Sequence, residues 1–302
     1  TVEFTPDLRE DLKRRDFTIN AMAYSHETGI VDEFEGMEDL KRRVIRCVGC
    51  AKDRFTEDAL RILRAVRFAA QLDFVIEDET YKAIAEIAPN LVHVSKERIQ
   101  VELTKLLLSN HPDEIRKVFD RELDTRICAD FPKIDPERIA IDPGLPKNKH
   151  MRWAALLRHR TPEEAVAILR QLKLDNDTIN RVKTLVQWWK RPVGADQTQI
   201  RRTMSQMAPE LYDDLLVLKT SVGELELQAE GCVEDLDWVK TQSREIRQRG
   251  DCVSLKELAV TGADLIQSGM KPGKELGETL KRLLELVLEH PEWNTKEILK
   301  KV

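Results

Sequence analysis

The residues Glu57-Asp58-Ala59-Leu60-Arg61 set a carboxylate and a guanidinium three positions apart, within a segment that reads TEDALRILRAVRFAAQLDF from Thr56 to Phe74. On a helix, residues i and i+3 leave the same face about one turn apart, so Asp58 and Arg61 would point the same way. An ionised carboxylate only accepts hydrogen bonds and a guanidinium only donates them. Cytosine presents an amino donor (N4) beside a ring-nitrogen acceptor (N3), and adenine presents N6 and N1 in the same order. The pair is complementary to both edges. Guanine and uracil present a carbonyl beside an N–H, the inverse order, and each buried mismatch costs roughly 1 to 3 kcal/mol. Asp58 with Arg61 is therefore suited to take C and A and to reject G and U. The same residues offer a plainer arrangement, in which Glu57 and Arg61 form an i, i+4 ion pair on a helix surface.

The elements that would position this pair follow from the pattern of apolar residues. Short β-branched or alternating runs at Val2–Phe4, Asn20–Tyr24, Ile30–Phe34 and Val44–Val48, with a turn at His26–Gly29, predict strands at the edge of a small α/β lobe. From Thr56 onward helical period dominates. Leu60, Leu63, Val66, Phe68 and Ala69 form an apolar face, and Asp58, Arg61 and Arg64 another. Further helices are predicted over 79–88, 95–108 with Ser95 as N-cap, and 112–123. A loop rich in Pro and Asp from Asp130 to Lys149 precedes a second helical region, in which Asp175-Asn176-Asp177 caps a helix. The tail carries a helix from Glu224 to Arg249 and a stretch punctuated by Gly262, Gly269, Gly273 and Gly277, as helix C′ glycines would be. The alternative is that Lys271, Pro272, Gly273 and Lys274 present N–H groups and charge to an RNA phosphate.

Composition bounds the possibilities. A chain of 302 residues with 41% hydrophobic content can bury more than one core, and 34% charged against 5% aromatic residues fits a helical protein with solvated faces. A net charge of −5 excludes a uniformly basic nucleic-acid binder. RNA contacts would have to come from local clusters such as Lys13-Arg14-Arg15, Lys41-Arg42-Arg43 or the run Lys147 to Arg152, each of which also reads as an ordinary solvated face. No segment is apolar enough to span a bilayer and no signal-peptide pattern opens the chain, so no membrane association and a cytoplasmic location are expected. Five cysteines, an odd number, argue against a disulfide framework. Cys47 and Cys50 form a CxxC without a second pair or nearby histidines, and no metal ligands are assigned. The strings Asp175-Asn176-Asp177 and Asp235-Leu236-Asp237 lack a Gly-rich turn and read as cap and surface residues.

Four blocks in order, RRDFTINAMAY (14–24), VDEFEGMEDL (31–40), EDALRILRAVRF (57–68) and VSKERIQVELTKLL (94–107), resemble the bacterial class II tRNA nucleotidyltransferase and poly(A) polymerase family, which includes the CCA-adding enzymes. The resemblance is strong over about the first 110 residues and continues more weakly to the C-terminus. It implies a mainly α fold: the remnant of a small α/β nucleotidyltransferase head (1–52), then an all-helical neck that recognises the base (53–110), a body (111–195) and a tRNA-binding tail (196–302). Asp58 and Arg61 match the family's templating pair for CTP and ATP. Arg64 and Arg67 match positions that line the nucleotide site, and Arg15 with Asp16 the block facing the ribose, where a carboxylate can accept from a 2′-hydroxyl. Asn20 is a possible helper, and Ser95–Ile99 matches a structural brace for the neck helices. In the hinge block, Glu33 and Glu35 stand where a proline and a glycine are common.

The family's Gly-Gly turn and magnesium-binding aspartates, which precede RRDFTINA in its members, do not occur here. No catalytic residue is therefore assigned in this chain. The Mg2+ ligands are expected in a missing N-terminal head segment, and these residues alone are expected to be inactive. The implied partners are tRNA, CTP, ATP and that segment. Other readings left open are a poly(A) polymerase, a CC-only or A-only adding relative, and a non-catalytic RNA-binding module.

Overall fold

The computed structural model describes residues 7–120, 123–128, 131, 139–229, 231–232 and 234–301. The fold is mainly helical with four short strands among the described residues, and the chain separates into two compact units, Thr1–Val186 and Gln187–Val302. The strand expected at Val2–Phe4 lies outside the described residues.

The first unit opens with α1 (Leu8–Lys13), where the Asp7 carboxylate accepts the Arg9 N–H at 2.9 Å. A 3-10 turn at Thr18–Asn20 leads into β1 (Met22–Ser25), which runs antiparallel to β2 (Gly29–Asp32), with Met22 opposite Asp32 and Ser25 opposite Gly29. Gly29 takes φ +75°, as a tight return requires. Both strands are shorter than expected, for local reasons. Asn20 stays in the 3-10 turn, its amide donating to Asp16 Oδ1 at 3.2 Å. Asp32 ends β2 because its two carboxylate oxygens accept the Gly36 and Met37 N–H groups, each at 2.8 Å, and so start α2 (Gly36–Arg42). The expected strand 44–48 divides between two neighbours. β3 (Val44–Ile45) pairs in parallel with β4 (Val75–Ile76), a strand too short to show in the pattern, and residues 46–48 lie beside Asp16–Thr18. Leu12, Ala21 and Val48 close a small core under Ala23 and Phe34.

Four helices follow: α3 (Ala51–Glu57), α4 (Leu60–Leu72), α5 (Asp78–Ile87) and α6 (Lys96–Leu107). α3 packs on α5, and α4 on α6. The segment from Thr56 is not one helix. Asp58 has extended backbone (φ −150°, ψ 100°), and its Oδ1 accepts the Leu60 N–H at 3.1 Å. A short carboxylate that bonds to nearby backbone competes with the helix and satisfies a donor that the next helix leaves orphaned. Ser95 does occupy the N-cap of α6, but its side chain makes no cap bond. The stretch 112–123 divides into a 3-10 turn (Pro112–Ile115) and a short helix (Arg116–Asp120), with another at Leu123–Ile127. In the expected 130–149 loop, where described, the carbonyls of Asp142, Pro143, Leu145 and Pro146 accept from the buried Arg152 guanidinium. Helices Lys149–Leu157, Pro162–Gln171 and Asn176–Trp188 follow. Thr161 and Glu164 form a reciprocal capping box on the second, and Asp175 accepts the Thr178 N–H of the third at 2.8 Å.

In the second unit, the helix Gln197–Ser205 packs against Leu236–Arg249 and Lys274–Glu289. The single helix expected over 224–249 is two, Glu224–Ala229 and Leu236–Arg249, and Asp235 caps the second by accepting the Trp238 N–H at 2.9 Å. Of the punctuating glycines, Gly269 follows a helix end at φ +102°, while Gly262 begins a helix, Gly273 precedes one and Gly277 lies inside it. Cys252, Leu258, Val260, Leu265, Leu283, Val287 and Leu299 form this unit's core. Among the described residues no helix is long and apolar enough to cross a membrane.

Candidate nucleotide site

α4 sets the geometry of the site. Along it Ile62, Leu63, Ala65, Val66, Arg67, Ala69 and Ala70 are buried, and Arg61, Arg64 and Phe68 form the partly open stripe, at i, i+3 and i+7. An i+3 step falls short of a full turn by roughly 60°, so Arg67, two such steps beyond Arg61, lies roughly 120° round from Arg61 and roughly 60° beyond Arg64 at the edge of that stripe. Arg67 is 6% exposed. Its Nε donates to Glu102 Oε2 at 2.5 Å, its Nη1 donates to Gln71, and its Cζ lies over the Phe68 ring, 3.8 Å from the centroid. The structure thus keeps Arg67 away from the open face and uses it to join α4 to α6.

Arg64 takes the intermediate place. Its Nε and Nη2 both lie 2.7 Å from Asp16 Oδ2, and its Nη1 is 3.8 Å from Glu102 Oε1. Asp16 is 8% exposed, and its Oδ1 accepts from the Phe17 N–H at 2.9 Å as well as from Asn20. Asp16 therefore ties the turn before β1 to α4. Arg15 is exposed and pairs with Asp11 at 3.2 Å.

Asp58 and Arg61 are each held by a different partner. Asp58 Oδ2 accepts from Arg98 Nη2 of α6 at 2.6 Å, while Oδ1 is on the Leu60 N–H. Arg61 Nη1 donates to Arg54 O at 3.1 Å and to Glu57 at 2.8 Å, and Nη2 donates to Arg14 O at 2.9 Å. The plain i, i+4 pair of Glu57 and Arg61 is thus formed. With Arg54 on Lys13 O at 2.8 Å, the two guanidiniums cap the carbonyl end of α1. Neither side chain is saturated among the described residues. A carboxylate has about four acceptor sites, two of them used here, and a guanidinium has five N–H donors, of which the Arg61 Nε–H and one on Nη2 remain. The Asp58–Arg98 pair is partly exposed and contributes roughly 0 to 1 kcal/mol to stability.

Arg98 and Glu102 are contacts the sequence did not assign. Both sit in the block VSKERIQVELTKLL, of which Ser95–Ile99, with Arg98 but not Glu102, matches a structural brace, and their signal was two opposite charges at i, i+4 on a helix with an apolar face. The basic clusters proved mostly paired: Lys41 with Glu38, Arg43 with Asp73, Lys149 with Asp175, and Arg152 buried. In the second unit Lys271 borders a cleft of about 650 Å³ with Leu265, Met270, Arg282 and Leu286. Among the described residues no three His, Cys, Asp or Glu side chains group to hold a metal ion, and none of them is assigned to the magnesium that the resemblance implies.

The chain is helical with a small strand-bearing head, and its sequence and fold match known nucleotidyltransferases. The poly A polymerase head domain matches residues 1–46, the "Probable RNA and SrmB- binding site of polymerase A" matches 73–121, and the tRNA nucleotidyltransferase domain 2 model matches 146–302. The CCA-adding enzyme of Lactococcus lactis subsp. cremoris (strain MG1363) is 36% identical over 296 residues, which is 96% of this chain and 69% of that enzyme. The CCA-adding enzyme of Leuconostoc mesenteroides subsp. mesenteroides is 32% identical over 307 residues, 99% of this chain and 72% of that enzyme. The crystal structure of the Bacillus stearothermophilus CCA-adding enzyme in complex with CTP superposes with a TM-score of 0.81 at 29% identity, covering 99% of this chain and 74% of the other. The chain belongs to the bacterial class II tRNA nucleotidyltransferase and poly(A) polymerase family, on the CCA-adding side.

Proposed function

We propose that this protein adds C and A to the 3′ end of tRNA, with Asp58 and Arg61 standing in for a nucleic-acid template. The observation that carries the reading is that both side chains are held in place yet keep unused acceptors and donors. The exocyclic amino group of cytosine or adenine donates to Asp58, and an Arg61 N–H donates to the adjacent ring nitrogen. Uracil and guanine invert both contacts, an effect of roughly 2 to 6 kcal/mol, or about 30-fold to more than 10⁴-fold in selection. Arg64 serves the triphosphate through charge-assisted donors, with Asp16 and Arg15 beside the ribose. Arg67 acts through packing. The names of the relatives, and the CTP in the similar structure, support these substrates. Magnesium, the metal this family generally uses, would supply charge neutralisation for the transfer, and no residue described here is assigned to hold it. The residues described here bind and select.

Incorporation of each nucleotide by the full-length protein onto tRNA lacking its 3′ terminus tests this. CMP and AMP are expected, with UMP and GMP disfavoured as above. Equal use of all four would overturn the templating assignment, and a long run of AMP would make the protein a poly(A) polymerase. Salt-dependent RNA binding without turnover would make it a binding module.

A further inference from the structure

We propose that Arg98 is a positioning residue for nucleotide selection, fixing the plane of the Asp58 carboxylate so that it and Arg61 meet one base edge together. This rests on the reading of Asp58 and Arg61 as the base-reading pair.

Asp58 sits at a break between helices, in extended backbone, so no helical ladder orients its side chain. Two contacts do. Oδ1 is tied locally to the Leu60 N–H at 3.1 Å, and Oδ2 is tied to Arg98 Nη2 at 2.6 Å, from 40 residues away. One contact alone would leave the carboxylate free to swing about its own bond, and two define its plane. Arg98 has a firm base to act from. Glu102 lies four residues on along α6, on the same face, and its buried contact with Arg67 pins that turn to α4. α6 therefore presents two opposite charges to the same neighbour: Glu102 holds the helix, and Arg98 holds the reader.

The consequence is a division of labour. Arg98 is itself exposed, and each Asp58 oxygen has a second lone pair, so the clamp and the base use the carboxylate at once. Reading a donor–acceptor edge needs both hydrogen bonds coplanar, and a displacement near 1 Å in such a group costs on the order of 100-fold. Losing the clamp harms the correct nucleotides most, because only they make both contacts. The wrong ones gain little from a well-placed carboxylate.

The test is steady-state incorporation of CTP, ATP, UTP and GTP by the full-length protein and its Arg98→Ala, Arg98→Lys and Asp58→Ala variants, with the Asp58→Ala/Arg98→Ala double variant. Arg98→Ala should lower kcat/KM for CTP and ATP by about 10-fold to 100-fold, by analogy with the loss of a supporting contact behind a bound group, and should change UTP and GTP much less. Its KM for tRNA should hold. Arg98→Lys, which keeps one charged donor, should recover part of the selectivity, and Arg98→Ala should add nothing in the Asp58→Ala background. If Asp58→Ala loses selectivity and Arg98→Ala does not, the clamp is wrong and the reading pair stands. Should Asp58→Ala keep full selectivity, the reading pair is wrong and the clamp falls with it. A uniform loss for all four nucleotides in Arg98→Ala, unrelieved by lysine, would show that Arg98 only braces the helix.

Discussion

Arg67 and Glu102, 35 residues apart in sequence, meet at 2.5 Å between Nε and Oε2 with both side chains buried. Truncating one member of such a pair leaves an uncompensated buried charge, at a cost of roughly 3 to 5 kcal/mol. Glu102→Ala should therefore lower the thermal midpoint by about 10 °C or more in calorimetry, at roughly 2 to 4 °C per kcal/mol for a unit of this size. Arg15→Ala, at an exposed position, should leave it within about a degree. A matched apolar pair, Arg67→Met with Glu102→Leu, should regain most of the loss, and equal melting of all four proteins would refute a joining role for the pair.

Glu35 lies in left-handed backbone at φ +62°, and its side chain makes an exposed ion pair with Arg46 at 3.1 Å. The left-handed conformation costs an L-residue roughly 1 to 2 kcal/mol, and glycine gives back about half of that gain in chain entropy. Glu35→Gly should thus stabilise the protein by about 0.5 kcal/mol in urea unfolding. Gly36 differs sharply, because a Cβ there would stand 2.3 Å from the Thr18 carbonyl oxygen. Gly36→Ala should be clearly destabilising, and a neutral Gly36→Ala would contradict the close approach.

Asp175 gives a pH dependence with a definite sign. Lys149 Nζ at 2.7 Å, with the Thr178 N–H and hydroxyl, holds its carboxyl well below the ordinary 3.8. A depressed folded value means the unfolded chain binds the proton first, so the stabilisation is complete above about pH 4 and is lost as pH falls toward the folded value. Both side chains are substantially exposed, which limits the ion pair to a few tenths of a kcal/mol. Asp175→Asn, which keeps the cap acceptor, should be less stable than the parent by that amount at pH 6. The two unfolding curves should draw together as pH falls below 3.8 toward the folded value, and a gap that widened on acidification would reverse the assignment.

Cys50 is exposed and Cys47 buried, and burial pushes the Cys47 thiol up to about 12. The thiolate is the reactive form. A thiol reagent at pH 8 should label Cys50 in the native protein and reach Cys47 only on unfolding, as peptide mapping would show. Equal labelling rates would mean that the residue 47 environment opens in solution.

Much of the fold could be read from the chain because its signals are local. The period of Leu60, Leu63 and Val66 marks α4, and Asp175 and Asp235 announce helix starts through the acceptors they carry. β4 escaped notice because two residues hold no period, and its partner β3 is 31 positions away in the register Val44 to Val75. The break at Asp58 escaped for a related reason: the same carboxylate that suits a base also bonds to the Leu60 N–H, and helical periodicity runs through the interruption.

By itself the sequence determined the chemistry of the site, since whether Asp58 accepts and Arg61 donates is a property of the side chains and needs no fold. It also determined the family, through four blocks whose order and spacing survive without coordinates. Only the tertiary structure decided which arginines remain open and what holds Asp58 and Arg61. Those outcomes depend on the slow rotation of i+3 steps around α4, on its packing against α6, which turns Arg67 inward onto Glu102 and brings Arg98 to Asp58, and on the turn before β1, where Asp16 seats Arg64 from 48 residues away. Contacts over such separations form when helices meet, and no local pattern encodes them.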